Sequence, residues 1–189
     1  MSKYALENAP AHLRAYFETS TIALALASTG DDTPLILTNP GFEKLTGYTL
    51  NDVVGKNCRL LQGDADNREA RAILRAFLEN EASPNVRTPI VNFRKDGPAF
   101  VNLLYMSRLR SSDGRTQFFF ASQFDVSRAH PERLEEYDHR LRQTLASITP
   151  LVAESGMIIE GSLTTIANSA HMIAQARMML ADLEGRSIP

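Results

Sequence analysis

A chain of 189 residues, 43% of them hydrophobic, suits one domain with an extension better than two full domains. Its 20 basic and 22 acidic residues leave a formal charge of −2, which gives no general attraction to nucleic acid or to an anionic membrane. The single cysteine excludes an internal disulfide and a cysteine-rich zinc site, and no metal is expected. No apolar run reaches the ~18–20 residues that span a bilayer, and the N-terminus lacks a signal-peptide pattern, so a cytoplasmic, reduced protein is expected.

Residues 11–19 read as a short helix, and Ile22 to Ala27 is an apolar run short enough to be a buried strand. Asp31, Asp32 and Pro34 break the chain before a second strand at Leu35–Leu37. Asn39-Pro40 starts a helix with proline in its first turn, and Thr49 to Asp52 forms a capping box for another. Asp66 is expected to cap a longer helix over 67–80, which Pro84 ends. The period then changes. Val86–Arg94, Pro98–Leu109 and Gln117–Val126 read as three strands joined by the Asp-Gly turns at 96–97 and 113–114. Two strands, short helices and a three-strand meander make an α+β order with five antiparallel strands.

Beyond Ser127 and Pro131 the character changes again. Leu134, Tyr137, Leu141, Leu145, Ile148 and Val152 recur at three- and four-residue spacing, the mark of a helix with one apolar stripe. Ser155-Gly156 ends it, and a second helix is expected over 162–183, giving a helical hairpin. Such a hairpin must bury its stripes against the preceding domain or a second subunit.

The lone cysteine sits in Gly55-Lys-Asn-Cys-Arg-Leu-Leu-Gln-Gly63. That run resembles the flavin-binding signature of the LOV (light, oxygen, voltage) photoreceptors, G-x-N-C-R-F-L-Q-G, and departs from it at Leu60 alone, where an apolar wall is kept. The resemblance implies the PAS/LOV fold over residues 20–126, an N-terminal helical cap over 1–19 and a regulatory helical extension over 127–189. It also implies a bound flavin and a reversible covalent bond between Cys58 and flavin carbon C4a under blue light, with a proton passing to ring nitrogen N5.

Alone, a cysteine is more often a small buried hydrophobe, and a thiol of pKa about 8.5 is a poor nucleophile without a base. The four histidines, at 12, 130, 139 and 171, are distant in sequence, which weakens a protease or oxidoreductase reading. The resemblance carries further residues. Arg59 and Arg75 match the phosphate-binding arginines and favour FMN, although FAD would leave the same trace. Arg68 and Arg71 share the helical face of Arg75 and read first as a solvated basic face, with either within reach of the phosphate. Asn92 and Asn102 match the asparagines that bond the pyrimidine edge, where an amide both donates and accepts. Asn57 and Gln62 match further polar contacts, and Gln123 the glutamine facing N5, which would re-pair its amide and pass the change to the last strand. Leu104 stands where a phenylalanine is common near the ring, and Leu26 where a threonine is; both bear on dark recovery.

The stretch Glu135 to Ala146 also resembles the dimerisation and phosphoacceptor helix of sensor histidine kinases, with His139 at the phosphoacceptor position. No ATP-binding domain or phosphate loop is read in these 189 residues, so the extension is expected to serve dimerisation or contact with a kinase or response-regulator partner. The whole is read as a signalling switch and not an enzyme. The rival is a light-gated phosphotransfer protein using His139. A helix-turn-helix DNA binder fits poorly, because the expected connection of about eight residues exceeds that motif's turn of about 3–4.

Overall fold

The computed structural model describes residues 9–128, 131–160, 176–181, 183 and 185. A helix over Ala11–Thr19 leads into strand β1, Ala23–Ser28, which pairs antiparallel with β2, Leu35–Thr38. Helices at Pro40–Thr46 and Leu50–Val53 and a 3₁₀ turn at Cys58–Gln62 follow. Asn39 starts the first of these as expected: its side-chain oxygen accepts from Phe42 N at 2.9 Å and from Leu24 N at 2.8 Å, so the cap also fastens the helix to β1. The Thr49–Asp52 capping box forms.

The next helix spans Arg68–Glu79, with Asn67 rather than Asp66 at its boundary. Asp66 offers Arg68 N only a 3.3 Å contact and holds the Arg68 guanidinium at 2.8 Å. Asn67 instead exchanges two hydrogen bonds with the backbone of Val91, at 2.8 and 2.9 Å, which pins the helix start to the sheet. Strands β3 (Asn85–Phe93), β4 (Ala99–Ser111) and β5 (Thr116–Asp125) then form the meander. The sheet order is β2-β1-β5-β4-β3.

A sixth strand, β6 at Met157–Ile159, pairs antiparallel with the end of β4 and was not among the five expected. Thirteen-residue β4 outruns nine-residue β3, so Leu109–Ser111 keeps a free edge that β6 covers. Glu160 fixes the register, its N–H donating to Arg108 O at 2.9 Å and its carboxylate pairing with Arg110 at 2.8 Å.

Strand alternation divides the molecule into two layers. One sheet face presents Leu24, Leu26, Leu103, Tyr105 and Phe120 to Leu13 and Phe17 of the first helix and to the helix Pro131–Glu154. That helix lays the expected stripe of Tyr137, Leu141, Leu145, Ile148 and Val152 on the sheet of its own chain. Most of the expected second helix lies outside the described residues; 176–181 are helical, and Ala176 and Leu180 join the same core. Among the described residues, no helix is long and apolar enough to cross a membrane.

Candidate functional site

The opposite sheet face encloses a cavity of about 590 Å³, within the range of small-molecule sites. Its lining brings together Asn57, Cys58, Arg59, Gln62, Arg75, Asn92, Asn102, Leu104 and Gln123, every site residue expected from the sequence. Space comes from small side chains: Ala25, Ala27 and Ala121 face inward from β1 and β5.

Three buried amides form one wall. In the β3–β4 register Asn102 lies opposite Ile90 and Asn92 opposite Phe100, so the two asparagines are diagonal neighbours on one face. Asn102 Nδ2 donates to Asn92 Oδ1 at 2.9 Å and to Gln123 Oε1 at 3.1 Å, and Asn92 Nδ2 donates to Val91 O at 3.0 Å. Asn102 Oδ1 and Gln123 Nε2 are left buried without a partner.

Cys58 opens the 3₁₀ turn, held there by Asn57, whose side-chain oxygen accepts from Arg59 N at 2.8 Å. The thiol is half-buried at the cavity edge, and enclosure pushes its pKa up to about 12. It is a neutral thiol at physiological pH. Gly63 closes the turn at φ +48°, where a Cβ would meet the Phe93 ring at 2.7 Å, so the motif's last position accepts no side chain.

Cations line the cavity beside this turn. Arg59 pairs with Asp32, Arg71 Nε donates to Gln62 Oε1 at 2.6 Å, and Arg75 extends from the Arg68–Glu79 helix. Asn57 lines the cavity too, but its Nδ2 is engaged with Asp32 O at 2.6 Å and Thr33 Oγ1 at 3.0 Å, stapling the β1–β2 loop.

A PAS domain family model matches residues 22–128, more than half of the chain. The crystal structure of the Rhodobacter sphaeroides LOV protein superposes with a TM-score of 0.67 at 26% identity, covering 99% of this chain and 100% of that one. The chain belongs to the PAS domain family, among the LOV photoreceptors. A blue-light-activated histidine kinase of Rhizobium johnstonii is 36% identical over 130 residues, 64% of this chain and 37% of the kinase. One of Brucella canis is 42% identical over 97 residues, 51% of this chain and 19% of the kinase. The chain thus spans well under half the length of these curated relatives.

Membership of the LOV family implies a flavin chromophore, and the cavity suits one. The unpartnered Asn102 Oδ1 acceptor and Gln123 Nε2 donor match a ring edge that carries both an N–H and acceptor atoms. The arginines suit a phosphorylated tail.

Two placements in this LOV domain add to the sequence reading. Leu26 faces the helical layer, fully buried against the other core, so any influence on dark recovery does not come from lining the cavity. Strand alternation gives the cavity its neighbours Ala25 and Ala27 instead. Arg71 is exposed, as a solvated face implies, and also lines the cavity, whereas Arg68 turns outward to Asp66. The signal available for Arg71 was its position one helical turn before Arg75.

Behind Gln123 the LOV sheet meets the C-terminal helix. Its neighbours Ser122 and Phe124 point to the opposite face, and both touch Tyr137: the Ser122 and Tyr137 hydroxyls lie 2.7 Å apart, and the Phe124 ring stacks on Tyr137 at 4.4 Å and 7°. Burial pushes the Tyr137 phenol up to about 12, so it stays a neutral hydroxyl. The next residue, Asp138, is buried in an ion pair with Arg87 of β3. His139 follows on the exposed side.

Proposed function

We propose that this protein senses blue light through FMN, with Cys58 as the photochemical nucleophile and Gln123 as the first element of the output. The observation that carries the reading is the single cavity shared by the Cys58 thiol, the Asn92–Asn102–Gln123 amides and the Arg59, Arg71 and Arg75 guanidiniums. A flavin held by these residues would, once photoexcited, supply an electrophilic ring carbon for the Cys58 sulfur and a basic ring nitrogen for its proton, and darkness would reverse both.

The protein's part is to hold and to relay. Cys58 stays protonated, which keeps its proton available for transfer. Asn92 and Asn102 orient the ring, and Arg59, Arg71 and Arg75 take the phosphate, favouring FMN over an unphosphorylated flavin. Gln123 offers its amide to N5 and re-pairs when N5 changes from acceptor to donor. Because Ser122 and Phe124 hold Tyr137, that re-pairing biases how the C-terminal helix docks. Two copies pair through the helical elements, and a kinase or response-regulator partner reads the change; the kinase relatives support this. The proposed domain limits are the cap to residue 19, the sensor over 20–126 and the extension from 127.

In this reading the chain is a switch rather than a catalyst of group transfer. A second reading, phosphotransfer at His139, draws support from the exposure of that side chain beside the anchored Asp138. Replacing His139→Gln and assaying transfer from partner kinases separates the two. The photochemical claim is tested with Cys58→Ala, which keeps flavin bound and loses the reversible bleach; a bleach that persists refutes it.

A further inference from the structure

A second cavity, of about 850 Å³, also has Gln123 in its lining and lies where β5, the Pro40–Thr46 helix, the Pro131–Glu154 helix and the 176–181 segment meet. Six basic side chains line it: Lys44, Arg94, Arg128, Arg133, Arg140 and Arg177. They are six of the chain's 20 basic residues, gathered at one concavity of a protein whose formal charge is −2. The only carboxylate in the described lining is Asp125, held by Arg94 at 2.6 Å. Arg140 pairs with Glu136 at 3.0 Å but leaves its Nε buried without a partner. Lys44, Arg128 and Arg133 are exposed and form no ion pair among the described residues.

Arg94 and Arg140 are paired with Asp125 and Glu136, and Arg177 donates to Val126 O, but Lys44, Arg128 and Arg133 add three more positive charges at the same concavity, which repel one another and raise the local potential. An anion relieves that repulsion, and guanidiniums are fitted to phosphate. The lining is also aromatic. The stacked Phe124–Tyr137 pair contributes to it, and Arg94 lies over the Phe100 ring at 4.5 Å. The volume falls in the usual range for small organic ligands and exceeds the needs of inorganic phosphate.

We propose that this cavity is a nucleotide site, taking a ligand with a planar base and at least two phosphate charges. It is separate from the flavin cavity and shares with it only Gln123, which places the ligand beside the residue assigned to the light signal.

The test is titration calorimetry on the full chain, loaded with flavin and kept dark, using adenosine triphosphate in the presence of a metal chelator. One saturable site is expected, weakening with salt and absent for adenosine. In the double variant Lys44→Glu/Arg133→Glu the affinity falls about tenfold or more, as loss of charge-assisted contacts requires. Both side chains are exposed, so the fold is kept, and an unchanged flavin band and bleach in the variant shows that the photoreceptor reading is not what is being tested. No saturable binding, binding unaffected by the charge reversal, or binding of acidic peptide or anionic vesicles in place of the nucleotide overturns the proposal.

Discussion

The hydroxyls of Ser122 and Tyr137 lie 2.7 Å apart, and this bond joins the strand that carries Gln123 to the helix Pro131–Glu154. Successive residues of a strand face opposite ways, so Gln123 looks into the flavin cavity while Ser122 and Phe124 grip the helix behind it. In the proposed route, a change at the ring has one residue to cross before it reaches the extension.

Removing the bond in Tyr137→Phe keeps the ring stack and leaves Ser122 Oγ buried without its partner. The expected cost to helix docking is about 1–3 kcal/mol. Hydrogen exchange across residues 134–152 is then faster in the dark, while the flavin bleach is unchanged; exchange like the parent's would mean that the hydroxyl pair does not hold the helix.

The Gln123→Leu variant keeps a side chain of similar reach but has no amide to re-pair. Adduct formation persists, and the light-minus-dark difference in exchange or X-ray scattering of the extension shrinks. A difference as large as that of the parent contradicts the proposed route.

Enclosure raises the Cys58 pKa above its ordinary value to about 12, so the neutral thiol is the form held from acid through weakly alkaline pH. The yield of the bleach is therefore flat between about pH 6 and 9, where an ordinary thiol of pKa about 8.5 begins to ionise. A sigmoidal rise centred near that ordinary value would assign the reaction to a thiolate instead.

Arg75 faces the cavity without an ion pair among the described residues, unlike Arg59, which Asp32 holds. Arg75→Ala weakens FMN about tenfold, the worth of a charge-assisted bond, and leaves riboflavin binding as it was. Equal losses for both flavins would place the effect on folding rather than on the phosphate.

The site residues were assigned through the resemblance, and short-range spacing explains how the fold brings several of them together. Asn92 and Asn102 flank a tight Asp-Gly turn, and period-two alternation puts both on one face once the hairpin closes. The helix stripe from Tyr137 to Val152 was equally plain, being a period of 3.6. What escaped depends on partners distant in sequence. Strand β6 is three residues long and exists because β4 leaves an edge uncovered. Asn67, not Asp66, marks the helix start because its amide finds Val91 across 24 residues. Leu26 stood out by resemblance, as the place of a common threonine, and the pairing of β1 with β5 turns it toward Phe120 and the helices.

The most direct measurement is the visible absorption spectrum of the purified protein in darkness, under blue light and through the following darkness. The account predicts a structured flavin band that bleaches under illumination and returns in the dark. A protein that takes up no flavin after incubation with FMN, or whose band does not bleach, contradicts it.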